Sequence, residues 1–231
     1  MRTLEGIVFD LDDTLYLERD YVMSGFRAIG VCVEDSFGIE AQVVFEELQQ
    51  LFQRGVRGNT FDLWLSSHPE LAQKVSVHEL VELYRSHTPE IGLLPRMPTL
   101  LSYCQQLGTP LGLISDGFLR SQERKAKVLR LERWIETRIY TDAWGKPFWK
   151  PHARAFEEIM RLWSSEPKRL AYIADNPRKD FVTPRRIGWK TVRLRIPAQL
   201  RYENEPFSAE YAAEVEAESV EQLEKVLEEW L

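Results

Sequence analysis

Hydrophobic residues follow two different patterns along this chain, short apolar runs and helical spacing. Ile7-Val8-Phe9 is a short apolar run rich in β-forming residues, which predicts a buried strand. From about residue 17 to residue 92 the apolar positions recur at helical spacing, broken by glycines and prolines. From Pro98 onwards, short apolar runs alternate with helical patterns as far as Arg195. Such alternation is typical of βαβ units around a parallel sheet.

The predicted fold class is α/β, with a doubly wound parallel sheet and an inserted all-helical domain. Residues 1–16 and 93–231 are expected to form the Rossmann-like core, and residues 17–92 the helical insert. The predicted strands after the first cover residues 110–115, 137–140, 170–175 and 190–195. The predicted helices cover residues 21–37, 43–52, 61–65, 78–86, 99–107, 122–131, 152–163, 178–187 and 220–231.

Composition restricts the class of protein. The chain has 231 residues, of which 44 % are hydrophobic, enough for a sizeable buried core. Its formal net charge of −6 argues against a general nucleic-acid or anionic-membrane surface. No apolar run approaches the roughly 18 residues of a membrane span, and we expect no signal peptide. Cys32 and Cys104 are expected to be reduced core thiols, so the expected location is the cytoplasm.

Three carboxylates follow the first predicted strand within four residues: Asp10, Asp12 and Asp13. Clustering these charges at the end of a buried strand is costly, because they repel one another and lose their hydration. A hard divalent cation such as Mg²⁺, which prefers oxygen ligands, would compensate for that cost. Two aspartates so spaced also occur in ordinary acidic turns, so the prediction depends on partners elsewhere in the chain.

Further polar residues follow other predicted strands of the sheet. Ser115-Asp116-Gly117 ends one strand, Asp175-Asn176 ends another, and Lys150-Pro151 precedes a helix. Taken singly, each resembles a turn or a helix start. Because parallel strands end at one edge of a sheet, these groups are predicted to meet there. Carboxylates, a cation and a lysine together are what phosphoryl transfer requires.

In chain order, these segments resemble the four motifs of the haloacid dehalogenase (HAD) superfamily. The matching segments are Asp10-Leu11-Asp12-Asp13-Thr14, Ser115, Lys150-Pro151 with Phe156, and Asp175 with Asp180. Lys146-Pro147 is a rival for the lysine motif, but no phenylalanine stands six residues after Lys146. Ala174 occupies the place where the family commonly has glycine. The helical insert is similar to the C1-type cap of subfamily I.

The resemblance implies a Mg²⁺-dependent phosphatase that acts through an aspartyl-phosphate on a small phosphorylated metabolite, a sugar phosphate or nucleoside monophosphate. Asp10 would be the nucleophile and Asp12 the general acid, then the base. The implied phosphate-binding residues are Thr14, Ser115, Asp116 with neighbouring backbone N–H groups, and Lys150. The implied metal ligands are Asp10, the backbone carbonyl of Asp12, and Asp175. Asp180 is expected behind the metal site or beside Lys150.

Two alternatives stay open. A phosphomutase keeps both Asp10 and Asp12, although the mutases compared carry Gly-Val at the position of Asp13-Thr14. A non-catalytic binding protein on the same fold is the second alternative. A dehalogenase is disfavoured, because a halide leaving group needs no acid such as Asp12. The expected partner is a small phosphate substrate, with neither nucleic acid nor membrane. Arg57 in the insert is a candidate contact for that substrate, although a solvated loop is the simpler interpretation of the segment around it.

Overall fold

A computed structural model of the chain describes residues 4–231, which divide into two compact units. The first unit holds the chain up to Arg19 together with Ile91–Leu231, and the second holds Asp20–Glu90. Each unit has its own cluster of buried apolar side chains. Within residues 4–231, no helix combines the length and the apolar character needed to cross a bilayer.

The first unit is built on one sheet of six parallel strands. They are β1 (Gly6–Phe9), β2 (Leu111–Ser115), β3 (Thr137–Tyr140), β4 (Leu170–Ala174), β5 (Lys190–Leu194) and β6 (Val215–Ala217). Their order in the sheet is β3-β2-β1-β4-β5-β6, which confirms the predicted doubly wound parallel sheet. β1, β2 and β4 are buried along their whole length, which explains their continuous apolar sequences. β6 was not predicted, because its three residues include an exposed glutamate and form no apolar run.

Helices fill the chain between these strands. In chain order they are α1 (Glu18–Phe37), α2 (Ala41–Gln53), α3 (Thr60–Ser66), α4 (Pro69–Ala72), α5 (Val77–Ser86), α6 (Met97–Gln106), α7 (Leu119–Val128), α8 (Arg154–Trp163), α9 (Val182–Ile187) and α10 (Val220–Trp230). α9 begins four residues later than predicted. The chain before it is a turn, in which Asp180 Oδ2 accepts a hydrogen bond from the backbone N–H of Asn176. The prediction of a helix from residue 178 was therefore wrong at its start.

Packing between α8 and the sheet fixes the position of the central strands. The ring of Trp163 lies so close to Gly6 that an added Cβ there would come within 3.0 Å of it, and Gly112 is almost as crowded. Phe156 on the same helix makes edge-to-face contacts with Tyr172 and Trp189. These contacts hold β1, β2 and β4 against one helix.

The second unit is a small helical cluster with an aromatic core. Phe26 packs edge-to-face against Phe52 and Phe61, and Trp64 is buried beside them. α5 begins with a capping box, in which Ser76 and Glu79 satisfy each other's backbone N–H groups. Local capping and a local core therefore stabilise this unit.

Both cysteines are free thiols. Cys104 is buried in the first unit, and burial raises its pKa to about 12. Cys32 is half-buried, which differs from the expectation of two core thiols.

Candidate active site

The candidate site lies at the carboxyl edge of the sheet, where three neighbouring strands end side by side. Phe9 pairs with Leu113 on one side and Ile173 on the other. Asp10 is the residue after Phe9, and Asp175 is the second residue after Ile173. The register of the parallel strands therefore brings together residues that are far apart in sequence.

Lys150 lies at the centre of this edge. Its Nζ donates hydrogen bonds to Asp10 Oδ1 at 2.7 Å and to the hydroxyl of Tyr172 at 2.8 Å. Nζ also lies 2.8 Å from Asp180 Oδ1, an ion pair by distance whose angles fall short of a hydrogen bond. Burial opposes the charge of this fully buried side chain, but Asp10 and Asp180 outweigh it and raise the pKa of Lys150 well above its usual value. The ammonium is therefore charged.

The rival lysine lies elsewhere. Lys146 is exposed, and its ammonium lies over the ring of Trp149 at 5.8 Å from the centroid. Lys150 therefore contacts Asp10, whereas Lys146 contacts Trp149. Tyr172, the third group around the Lys150 ammonium, was missed because it looks like an ordinary core aromatic of β4.

Three buried carboxylates form a potential metal centre. One ligand atom from each of Asp10, Asp175 and Asp180 lies within 4.8 Å of the others. Asp175 Oδ2 is buried and has no hydrogen-bond partner in the described part of the chain. Burial, followed by repulsion from Asp180 and Asp10, raises the pKa of Asp175 well above its usual range. An all-oxygen donor set with an unpartnered buried oxygen fits a hard divalent cation.

The pKa of Asp10 reflects the same surroundings. Burial raises it from 3.8 to about 6, against the opposing effect of the Lys150 ammonium. Asp180 adds to the increase because its carboxylate repels a second negative charge nearby. A bound cation would favour the ionised form of Asp10, which is the form that a nucleophile needs.

The carboxylate of Asp12 lies outside the acidic triad and is held by three side chains. Lys125 Nζ donates to Oδ1 at 2.7 Å, Gln122 Nε2 donates to Oδ2 at 2.6 Å, and the hydroxyl of Tyr16 donates to Oδ1. Burial raises the pKa of Asp12, but Lys125 and these hydrogen bonds lower it overall to about 2. The side chain of Asp12 is therefore ionised in the substrate-free protein.

Sequence reasoning missed Lys125 and Gln122. Both lie on α7, which the sequence describes only as a helix rich in lysine and arginine. The one available signal was their spacing. Gln122 and Lys125 are three residues apart, so they share one face of a helix that directly follows Ser115-Asp116-Gly117.

The predicted phosphate-binding residues have different surroundings. Ser115 Oγ is buried and accepts a hydrogen bond of 2.7 Å from Gln122 Nε2. The hydroxyl of Thr14 is buried and has no hydrogen-bond partner within residues 4–231. The oxygens of Asp12 are already bound by Tyr16, Lys125 and Gln122, as described above.

Asp116 organises its surroundings through its side chain. Its carboxylate accepts hydrogen bonds from the backbone N–H of Lys150 at 3.0 Å, from Thr141 Oγ1 at 2.8 Å and from Lys179 Nζ at 2.8 Å. Burial alone would raise its pKa, but Lys150 and Lys179 lower it. The negative carboxylate of Asp116 therefore holds the segments that carry Lys150 and Lys179. Because this carboxylate would repel a phosphate, any contact with phosphate here would come from backbone N–H groups.

Two backbone N–H groups and an arginine bind the carboxylate of Asp13. Its carboxylate accepts hydrogen bonds from the N–H groups of Glu18 and Leu200, and Arg201 lies 3.7 Å away. Burial and the nearby Glu18 raise its pKa to about 7. Asp13 thus connects the start of α1 to the segment after β5 and takes no part in the triad.

Arg57, the candidate in the insert, is bound within its own loop. Its guanidinium donates to the carbonyls of Phe52 and Val56 and lies 3.7 Å from the centroid of the Phe52 ring. These contacts close the end of α2, as a structural arginine would.

Comparison with known proteins identifies the family. The family model of haloacid dehalogenase-like hydrolases matches residues 4–188, so the chain belongs to this family. A glyceraldehyde 3-phosphate phosphatase of Methanopyrus kandleri is 28 % identical over 206 residues, covering 83 % of this chain and 84 % of that protein. A phosphatase of the same name from Methanocaldococcus jannaschii is 25 % identical over 202 residues, covering 83 % of this chain and 85 % of the relative.

Solved structures share the fold. The magnesium-bound HAD-hydrolase YfnB from Bacillus subtilis has a TM-score of 0.65 at 17 % identity, covering 98 % of this chain and 99 % of its own. These values support a common architecture across the whole length of both chains. The resemblance inferred from the four motifs is confirmed.

Proposed function

We propose that this protein is a Mg²⁺-dependent phosphatase that hydrolyses a small phosphorylated metabolite, with a sugar phosphate as the first candidate. The observation that carries the proposal is the contact of Asp10 with Lys150 beside a buried carboxylate triad. The relatives named as glyceraldehyde 3-phosphate phosphatases support a short phosphorylated sugar as the substrate class.

In this proposal, Mg²⁺ is held by Asp10, Asp175 and the backbone carbonyl of Asp12, with Asp180 beside it. When bound, it neutralises charge that otherwise repels the phosphoryl oxygens from the carboxylates. Lys150 fixes the Asp10 carboxylate through its hydrogen bond of 2.7 Å. Ser115 and the backbone N–H groups near Asp116 bind phosphoryl oxygens, together with the Lys150 ammonium.

The reaction then has two chemical steps. A carboxylate oxygen of Asp10 attacks phosphorus, and the bond from phosphorus to the leaving oxygen breaks. Asp12, which is ionised in the substrate-free protein, takes up a proton as the negatively charged substrate binds. It delivers this proton to that oxygen, which leaves as an alcohol. Asp12 next accepts a proton from a water molecule, whose oxygen attacks the phosphorus of the aspartyl-phosphate. The bond between phosphorus and Asp10 breaks, and inorganic phosphate is released.

The test is release of inorganic phosphate from p-nitrophenyl phosphate and from a panel containing glyceraldehyde 3-phosphate, with and without Mg²⁺. We expect Mg²⁺-dependent release that disappears in Asp10→Asn. The exposed carboxylate of Asp62 provides a matched control, because Asp62→Asn removes a similar charge from the second unit.

Two outcomes would overturn the proposal. Isomerised product that retains its phosphate and requires a bisphosphate activator would indicate a phosphomutase. Absence of both turnover and Mg²⁺ binding would leave a binding protein built on the same fold.

A further inference from the structure

The proposed acid and base, Asp12, is held far more tightly than its role alone explains. Its side chain is 20 % exposed, yet Lys125, Gln122 and Tyr16 all donate to it. A carboxylate that only exchanged protons with substrate and water would need access to them and no such set of donors.

Lys125 is an unusual lysine for the helix on which it lies. Its side chain is 6 % exposed, whereas Lys127 on the same helix is exposed. Burying an ammonium is costly unless a charged partner compensates. Asp12 Oδ1, at 2.7 Å, is such a partner, and the Nζ also lies 6.0 Å from the centroid of the Tyr16 ring. The contact with Asp12 therefore helps to compensate for the burial of Lys125.

Gln122 links Asp12 to the phosphate-binding strand end. Its Nε2 lies 2.6 Å from Asp12 Oδ2, 2.7 Å from Ser115 Oγ and 2.7 Å from the carbonyl of Asp116. Gly117 leaves the space for this side chain, because an added Cβ there would lie 3.3 Å from Gln122 Cδ at a φ of +113°. The two oxygens of Asp12 thus have different partners: Oδ1 accepts from Lys125 and Tyr16, and Oδ2 accepts from Gln122, which also contacts Ser115.

We propose that Lys125 is a positioning residue for proton transfer: with Gln122 it fixes the rotation of the Asp12 carboxylate beside the phosphate-binding edge. This inference rests on the proposed phosphatase function. A freely rotating carboxylate would spend only part of its time aligned with the leaving oxygen, and misalignment of a reacting group is costly. Holding both oxygens removes that freedom before substrate arrives.

The leaving group provides a readout that a merely structural role would not change. p-Nitrophenolate is a stabilised anion that departs without a proton, whereas an alkoxide departs only with one. General acid catalysis contributes on the order of 10²–10⁴-fold. Loss of alignment at Asp12 should therefore impair alkyl phosphates much more than p-nitrophenyl phosphate. The comparison uses kcat/KM, which covers formation of the aspartyl-phosphate and excludes its later hydrolysis.

The experiment measures kcat/KM for p-nitrophenyl phosphate and for glyceraldehyde 3-phosphate in the wild type, Lys125→Met, Lys125→Arg and Lys127→Met. If glyceraldehyde 3-phosphate is not hydrolysed, the alkyl phosphate of the panel that the wild type hydrolyses fastest replaces it. In Lys125→Met we expect the alkyl-to-aryl ratio to fall on the order of 10²-fold. Lys125→Arg, which retains the charge, should restore part of the ratio, and Lys127→Met should leave it unchanged.

An equal loss on both substrates, or an unchanged ratio, would overturn the inference while the phosphatase proposal stands. Failure of the wild type to release phosphate from any substrate would refute the phosphatase proposal and the inference with it. If Lys125→Met does not fold, Lys125→Gln replaces it, because the amide is neutral and still polar. The alkyl-to-aryl ratio of Lys125→Gln then tests the positioning role in the same way.

Discussion

The side chain of Asp13 accepts a hydrogen bond of 2.6 Å from the backbone N–H of Leu200, which lies 187 residues further along the chain. The other carboxylate oxygen accepts a hydrogen bond of 2.7 Å from the backbone N–H of Glu18. One buried side chain thus joins the loop after β1 to the segment after β5. Its protonation state therefore affects how firmly the first unit is held together.

The stability of the metal-free protein should fall as pH rises from about 5 to about 8. The pKa of Asp13 is raised from 3.8 to about 7, so this group binds a proton on folding. Its stabilising contribution is complete below the unfolded pKa and is lost as pH rises through about 7. For one such group the loss is roughly 2–3 kcal/mol across this interval. Denaturant unfolding at the two pH values measures it.

Asp13→Asn provides the comparison for that measurement. The variant should be less stable at both pH values, because an amide group replaces one hydrogen-bond acceptor. Its dependence on pH should nevertheless be flatter than that of the wild type, because the titrating group is gone. A slope equal to that of the wild type would contradict the assignment to Asp13.

Mg²⁺ binding should release protons and should weaken as pH falls. The pKa of Asp10 is raised to about 6 and that of Asp175 well above its usual range, so protons compete with the metal for these oxygens. Calorimetric titration in two buffers of different ionisation enthalpy counts the protons released. Asp175→Asn should abolish binding, whereas Asp62→Asn should leave it intact. Binding with the same affinity at about pH 5 and about pH 8 would contradict the prediction.

Lys150→Met should destabilise the metal-free protein and abolish phosphatase activity. The substitution leaves Asp10 and Asp180 buried without their cation, a situation that typically costs about 3–5 kcal/mol. Added Mg²⁺ should restore part of the stability, because it supplies positive charge to the same carboxylates. Thermal unfolding with and without Mg²⁺ measures both effects. Lys146→Met is the matched control and should behave as the wild type does; an equal loss in both variants would rule out a special role for Lys150.

Gly6→Ala should destabilise the fold through a clash with Trp163. An added Cβ at Gly6 would come closer than 3.0 Å to that ring, which forms part of the packing of α8 on the sheet. Overpacking of this kind typically costs about 1–3 kcal/mol. Gly92→Ala is the control, because nothing lies within 4 Å of its added Cβ. Equal midpoints of denaturant unfolding for the two variants would contradict the clash.

The sequence was sufficient to predict the sheet and the edge at which the site lies. Apolar runs such as Ile7-Val8-Phe9 and Leu170–Ala174 specify fully buried parallel strands, and parallel strands align their polar ends without further information. It was insufficient for β6, whose pairing with β5 depends on the neighbouring strand more than on its own three residues. The start of α9 was predicted too early for a similar reason, since the Asp180 side chain binds the backbone N–H of Asn176 and forms a turn before the helix.

The three carboxylates of the first motif illustrate what one sequence leaves undetermined. They are alike in sequence, yet Asp10 contacts Lys150, Asp12 contacts Lys125, and Asp13 contacts backbone N–H groups. Which partner each one meets depends on the twist of the sheet and on the rotation of α7. Neither quantity can be read from local spacing, so the contacts of Lys125 and Gln122 with Asp12 became apparent only in the structure.

β1 leaves the ribosome before β2 and β4, although it lies between them in the finished sheet. Lys150 follows Asp10 by 140 residues, so at typical rates of synthesis the nascent chain waits roughly 7–28 s for this counter-ion. The helical unit is continuous in sequence from Asp20 to Glu90 and is fully synthesised during this wait. The acidic triad is complete only after Asp180 has been added. Chains released before that residue therefore lack one carboxylate of the triad.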